Sequence, residues 1–373
     1  LLVGVAIAGC GRLHFDPLVD AAGSGTPRCP LAGAFLTMLD AATGMQPQFV
    51  ATGDFDSDGH VDLATGNTGD NTVSVLLGHG DGTFALHRDL GAVANPNAGV
   101  VADLDRDGKP DLVVAATVAC VFLGNGDGTL RPNVDYSTGN AAYSIAVGDV
   151  NGDGVPDLVT ANQGSFTASV LLGNGDGTFR TNVDYPTGDT PYAIAVADLR
   201  HTGVLDLVVA NLGTNNVSVL LGNGDGTFQG KLDYAAGTGP SSLAIADVNG
   251  DGKLDVITTD VQSAGLVSVL LGNGDGTLGG HVDYATDAAP IAVAASDLDA
   301  DGYIDLVVAN SGASTVSVLR GRGDGTFDAG LAFVTGTHPL SAAIADVDGD
   351  GLPDIVTASS DASSTSVLLQ RCQ

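Results

Sequence analysis

The aspartates are the residues whose spacing could do chemistry. Asp54, Asp56, Asp58 and Asp62 stand at positions 1, 3, 5 and 9 of one short stretch, and the spacing returns at Asp103, Asp105, Asp107 and Asp111. It returns again at Asp297, Asp299, Asp301 and Asp305, and at Asp346, Asp348, Asp350 and Asp354. Two further copies, Asp149, Asn151, Asp153, Asp157 and Asp247, Asn249, Asp251, Asp255, carry Asn at position 3, which keeps an oxygen donor. Oxygens at this spacing, with Gly at position 6 allowing a sharp reversal, suit a hard cation the size of Ca2+. Four carboxylates gathered without one would repel strongly. The backbone carbonyl at position 7, carried by His60, Lys109, Val155, Lys253, Tyr303 and Leu352, is expected to add a ligand. The chain has no Glu to close the shell from further along, so the position-9 Asp must do it. About six calcium sites are expected.

A seventh copy breaks the rule. Asp198-Leu199-Arg200-His201-Thr202-Gly203 puts Arg200 and Thr202 where ligands should be. No calcium is expected there; the Arg200 guanidinium is expected to bridge Asp198 and Asp206 as a covalent cation.

These loops need a scaffold that repeats, and the sequence supplies one. The opening residues Asp54, Asp103, Asp149, Asp198, Asp247, Asp297 and Asp346 recur at a period near 49. Within one unit, 192–199 alternates into the acidic loop, 206–210 and 217–221 read as second and third strands, and 228–234 as a fourth after the turn GNGDGT. Seven units of four short strands fit the blades of an all-β propeller. Composition agrees: 54 Gly, no Trp and only 13 Lys plus Arg leave little to dress a helix. Residues 34–44 align with a fourth strand that has no blade before it, while the last unit stops after a third strand at Ser366–Leu369. Pairing the two ends is expected to close the last blade and remove open edges.

The termini carry a separate message. Residues 1–10 are an apolar run ending in Ile7-Ala8-Gly9-Cys10, which resembles the bacterial lipobox, so lipid attachment at Cys10 is expected after signal cleavage. Residues 11–33 lack any period and read as a flexible tether, leaving 34–373 as the propeller. Cys29 and Cys372 align within the turn that the composite last blade lacks. A disulfide between them is expected to staple the ring, at roughly 5–6 kcal/mol by the chain-entropy account. Cys120 stands where sister units have Ser169 and Ser218 and is expected to be an inert buried thiol.

The units resemble FG-GAP or VCBS repeats, of the kind that build the seven-bladed propeller of integrin α subunits and many bacterial surface proteins. That resemblance covers residues 34–370. It implies metal in the loops between first and second strands and ligands on the opposite face. The turns between third and fourth strands end in Phe84, Leu130, Phe179, Phe228, Leu278 and Phe327, expected to anchor the outer strand in the core. Arg322-Gly323-Asp324 spells an integrin-recognition tripeptide, but it occupies the turn written N-G-D in sister units and is read as that turn.

A net charge of -31 excludes nucleic-acid or anionic-lipid binding through basic patches. No G-x-S-x-G, H-E-x-x-H, C-x-x-C or phosphate loop occurs, so no catalytic residue is assigned. The expected protein is an exported, lipid-anchored, calcium-stabilised module of the bacterial envelope or surface that binds a protein or matrix partner. Two alternatives stand beside it. A lectin could use the recurring Tyr136, Tyr185, Tyr234 and Tyr284, with Tyr143 and Tyr192 in the loops between blades, although covering blade edges is the plainer role for these rings. A propeller-based hydrolase or lyase would need His, Asp and Arg gathered in a pocket on the top face. Specificity is expected in the loops between second and third strands, around 66–71, 163–168 and 311–315.

Overall fold

The computed structural model describes Leu31, residues 35–91 and residues 94–371. Within them the chain forms seven antiparallel sheets of four strands, each an independent blade. Strands 47–53, 62–67, 72–76 and 88–91 make blade 1, and blades 2 to 6 repeat this order along the chain. First strands of successive blades lie side by side around the axis, and that of blade 7 (Pro339–Ala345) returns to that of blade 1 (Pro47–Gly53).

Residue type explains the layers. Second strands such as Asp206–Asn211 are buried at every position, because each blade is covered on both faces by its neighbours. First strands converge on the axis and are rich in small residues, as in Pro290–Ser296 (PIAVAAS). Outer strands are the most exposed of each blade, and in five blades they run only three or four residues, as in Val134–Tyr136 of blade 2, which limits the sheet edge open to stray pairing. For the fourth unit the observed outer strand, Leu232–Ala235, begins later than the expected 228; Phe228 instead forms an isolated bridge with Gly222.

Ring closure follows the expectation from the two chain ends. Phe35–Ala42 pairs antiparallel with Ser364–Gln370 and becomes the outer strand of blade 7. The join copies the other blades in atomic detail. Ser366 Oγ donates to Asp40 Oδ1 at 2.7 Å, as Ser74 donates to Asp89 and Ser169 to Asp184 at 2.6 Å. Cys10, where lipid attachment is expected, and Cys29 and Cys372, where the disulfide is expected, lie outside the described residues. Cys120 is a free, buried cysteine whose thiol burial pushes up to about 12.

Near their starts, most first strands carry a register shift, as between Pro191 and Ala193 or Pro290 and Ala292. Such a bulge re-aims a side chain. The re-aimed residues include Gln48, Tyr143, Tyr192, Ile291 and Leu340, which line a small axial pocket. Tyr143 and Tyr192 are therefore strand residues facing the axis, where the sequence had suggested loops. Their ring centroids lie 4.0 Å apart with the planes tilted by 39°, and their hydroxyls meet at 2.5 Å.

Candidate metal centres

Each acidic loop joins the first strand of a blade to its second. Two residues per loop have left-handed backbone. Gly59 at position 6 has φ 89, and a Cβ there would meet nothing within 4 Å, so the demand for Gly is conformational rather than steric. Position 4 is also left-handed and is occupied by Ser57, Arg106, His201 and Ala300 in four blades. A non-Gly residue there costs about 1–2 kcal/mol, a cost that the loop's hydrogen bonds offset.

Those bonds turn the carboxylates inward. In blade 1, Asp54 accepts from the amides of Asp58 (3.1 Å) and Gly59 (3.0 Å), and Asp58 accepts from His60 N at 2.9 Å. Position-7 residues Lys109, Val155, Lys253, Tyr303 and Leu352 donate in the same way to the position-5 Asp. Position 9 does something the spacing did not show. Asp62 is fully buried, taking Phe55 N on one oxygen and Gly78 N on the other, both at 2.7 Å. It therefore ties the loop to the end of the third strand. Asp111, Asp157, Asp255, Asp305 and Asp354 make the equivalent pair of bonds.

The electrostatics suit a cation. Burial lifts Asp62, Asp111, Asp157 and Asp255 to about 6 and Asp305 and Asp354 to about 7, and neighbouring loop carboxylates push the same way. Carboxylate oxygens of Asp54, Asp56 and Asp58 lie within 4.8 Å of one another, as do those of Asp103, Asp105 and Asp107. In blades 6 and 7 the converging sets are Asp297, Asp299, Asp305 and Asp346, Asp348, Asp354. This all-oxygen donor set fits Ca2+. Blades 3 and 5 keep the loop geometry, with Asn151 and Asn249 accepting the amides of Asp153 and Asp251 at 2.9 Å.

Blade 4 differs as expected, with one correction. Arg200 forms two bonds to Asp206, at 3.2 and 2.6 Å, and a third to the Gly222 carbonyl at 2.8 Å. It makes no bond to Asp198 among the described residues, because Asp198 is already capped by the amides of Thr202 and Gly203. The guanidinium Nε takes the Asp206 oxygen that, in sister blades, accepts the backbone amide after the opening Asp.

Each loop also abuts the next blade. Gly128, in the turn of blade 2, donates its amide to Phe55 O at 2.9 Å; a Cβ on it would lie 2.9 Å from Leu77 and 3.4 Å from Asp56. Gly226 to Val150 and Gly325 to Val248 repeat the bond. Blade 7 lacks a continuous turn, and there the side chain of Gln370 donates to Leu298 O at 2.9 Å in its place. The acidic loops thus sit at the seams between blades. The recurring tyrosines are also seam residues: Tyr136, Tyr185 and Tyr284 pack edge-on against Phe179, Phe228 and Phe327 of the following blade. Within the Arg-Gly-Asp turn, Arg322 pairs with Asp328 and Asp324 accepts from Thr326, so the tripeptide does the work of a turn.

A closed seven-bladed ring with an acidic loop at each seam defines a class of repeat propeller. The FG-GAP-like repeat family matches residues 54–114, 118–160, 150–209, 201–258, 247–308 and 297–357, and the chain belongs to that family. No curated relative matches it in sequence. Among solved structures it is similar to BBS1N in complex with ARL6DN, at 16% identity and TM-score 0.63, over 89% of this chain and 94% of that one. A streptogramin B lyase is similar at 14% identity and TM-score 0.60, over 91% and 99%. The Vibrio cholerae biofilm matrix protein Bap1 is similar at 14% identity and TM-score 0.52, over 88% of each chain. At these identities the likeness is one of fold.

Proposed function

We propose that this protein is a calcium-stabilised β-propeller that presents a binding surface to a protein or matrix partner outside the cell, held at the bacterial envelope by lipid on Cys10. An FG-GAP-like propeller is in general a scaffold for protein interaction. The observation that carries the calcium reading is the placement of the acidic loops at the seams, where a bound cation would join blade to blade. BBS1N engages ARL6DN with the same fold, which supports a protein partner for this one. Export and anchoring rest on the lipobox-like segment. Ligand recognition belongs on the face opposite the metal loops, where the connections between second and third strands vary in sequence.

The enzyme and lectin alternatives draw less from the geometry. The axial pocket, of about 60 Å³, is lined by Gln, Asn, Ser, Tyr and apolar residues, and offers no carboxylate, imidazole or guanidinium. The recurring outer-strand tyrosines are spent on seam packing.

The test is binding by the immobilised full chain in calcium and in chelator, against envelope-matrix proteins and a glycan array in parallel. Calcium-dependent retention of protein with silent glycans is expected. Calcium-dependent glycan binding would replace the reading with a lectin, and binding of neither would overturn it.

A further inference from the structure

The six acidic loops are not equivalent. In blades 6 and 7 an arginine from outside the loop already holds the ligand carboxylates. Arg320 Nε donates to Asp299 at 2.8 Å, and its terminal nitrogen donates to Asp301 at 2.5 Å. Arg371 pairs with Asp348 and, at 2.8 Å, with Asp350. Both arginines thereby engage positions 3 and 5, the side chains that a cation would need. Asp299 and Asp301 are nearly inaccessible, at 4% and 3% side-chain exposure, while Arg320 covers them from the surface at 41%.

The carboxylate clusters register the difference. In blades 1 and 2 the converging oxygens belong to positions 1, 3 and 5; in blades 6 and 7 position 5 drops out and position 9 takes its place. The lysine at position 7 of blade 2 does not have this effect, since Asp107 stays in the converging set. Lys109 and Lys253 each hydrogen-bond to the position-5 Asp and leave position 3 alone among the described residues.

Sequence context shows why the arginines can sit there. Sister blades carry Leu77, Leu123, Leu172, Leu221 and Leu271 where blade 6 has Arg320. Those leucines pack under a turn Gly of the next blade, as Leu77 does under Gly128 and Leu221 under Gly276. The blade after blade 6 is the composite one, whose turn is interrupted by the chain's two ends. The side chain at 320 is released from that packing and turns to its own loop. Arg371 follows the last strand of the composite blade directly.

The geometry points to two classes of calcium loop: four open loops in blades 1, 2, 3 and 5, and two in blades 6 and 7 that calcium enters only by displacing a built-in arginine. This rests on the calcium reading above. Blade 4 completes the series, because Arg200 lies inside its loop and replaces a ligand outright. The seams flanking the composite blade thus keep a covalent counter-cation across positions 3 and 5 when calcium is scarce, while blades 2 and 5 keep only a lysine on position 5.

Isothermal titration of the chelator-stripped full chain with calcium chloride tests the inference. Four equivalents are expected to bind tightly and two at least tenfold more weakly. Arg320→Leu restores the sister-blade residue and moves one equivalent into the tight class; Arg371→Asn moves the other. Six equal sites in the unsubstituted chain would overturn the inference while leaving the calcium reading intact. So would a four-plus-two pattern that neither variant changes. No binding at all would overturn both. The split is read in the unsubstituted chain, so a variant that fails to fold leaves the inference testable.

Discussion

The loops of blades 1 and 4 have nearly the same backbone and opposite means of neutralisation. Asp54 and Asp198 both accept the amides four and five residues on, and Asp62 and Asp206 are both fully buried. Loop shape is therefore set by hydrogen bonding and left-handed backbone, without reference to the ion. What differs is the charge at the centre: three converging carboxylates in blade 1, one guanidinium against one carboxylate in blade 4. Under the proposed calcium reading, seams of the first kind would depend on a ligand that can leave, and the seam of the second kind would not. The ring would then be a mixture of conditional and unconditional joints.

The largest way to break this comparison is to remove the ion. An ion held at a hundredfold its Kd stabilises by about 2.7 kcal/mol, so stripping four open loops should withdraw on the order of 10 kcal/mol. Chelator should lower the melting temperature by roughly 10 °C or more, read by scanning calorimetry. An unchanged melt would mean that the acidic seams are as unconditional as blade 4. Next in size is Asp206→Ala, which strands Arg200, only 19% exposed, beside an unbonded Gly222 amide. It should cost about 3–5 kcal/mol in chemical denaturation, by the same amount in calcium and in chelator. A cost that varied with calcium would place an ion in the one loop expected to lack it.

Much of this contrast is legible in the sequence because repetition turns each departure into a signal. The period gave the blades, the unmatched strands at the two ends gave the closure through Asp40 and Ser366, and Arg200 stood out inside its own loop. Arg320 and Arg371 were not found. Each lies about twenty residues from the carboxylates it holds, brought there by a third strand that returns to the loop, and no local spacing encodes that approach. A signal existed in the replacement of a recurring Leu by Arg320. Tyr143 and Tyr192 were noticed but assigned to loops, for a different reason: a bulge turns one side chain out of alternation, and period-two reading presumes there is none. The anchoring role of Asp62, which takes the amides of Phe55 and Gly78 and stays outside the converging set of Asp54, Asp56 and Asp58, is hidden because anchoring and ligation ask for the same carboxylate.

A smaller effect would sharpen the comparison by conversion. Arg200→Asp with Thr202→Asp rewrites loop 4 in the pattern of loop 1, leaving the caps on Asp198 in place. The variant should bind one more calcium than its parent by metal analysis and should melt lower than the parent only in chelator. Failure to gain an ion would show that the backbone of loop 4, and not its side chains, excludes the metal.

The smallest effect concerns a charge that no loop neutralises. On the second strand of blades 1 and 3, Asn67 and Asn162 each donate at 2.8 Å to the Ser that donates on to the outer-strand Asp. Blade 5 has Asp260 there instead. Ser268 Oγ lies 2.7 Å from Asp260 and 2.8 Å from Asp283, and one hydroxyl hydrogen cannot serve both acceptors. Asp260 is buried, and its other oxygen has no partner. Burial raises it to about 6, with Asp283 adding to the rise while Ser268 and His281 oppose it. Protonated, it can donate to Ser268 as the asparagines do. Because its folded value lies above the unfolded one, the stability it contributes is complete below about pH 4 and is lost as pH rises through about 6. Asp260→Asn supplies the donor permanently. It should leave stability near pH 4 almost unchanged and raise it at pH 8 by about 1–3 kcal/mol in denaturant unfolding. Equal stabilities of the two chains at pH 8 would mean that Asp260 keeps its charge and that the Ser268 hydrogen goes to it rather than to Asp283.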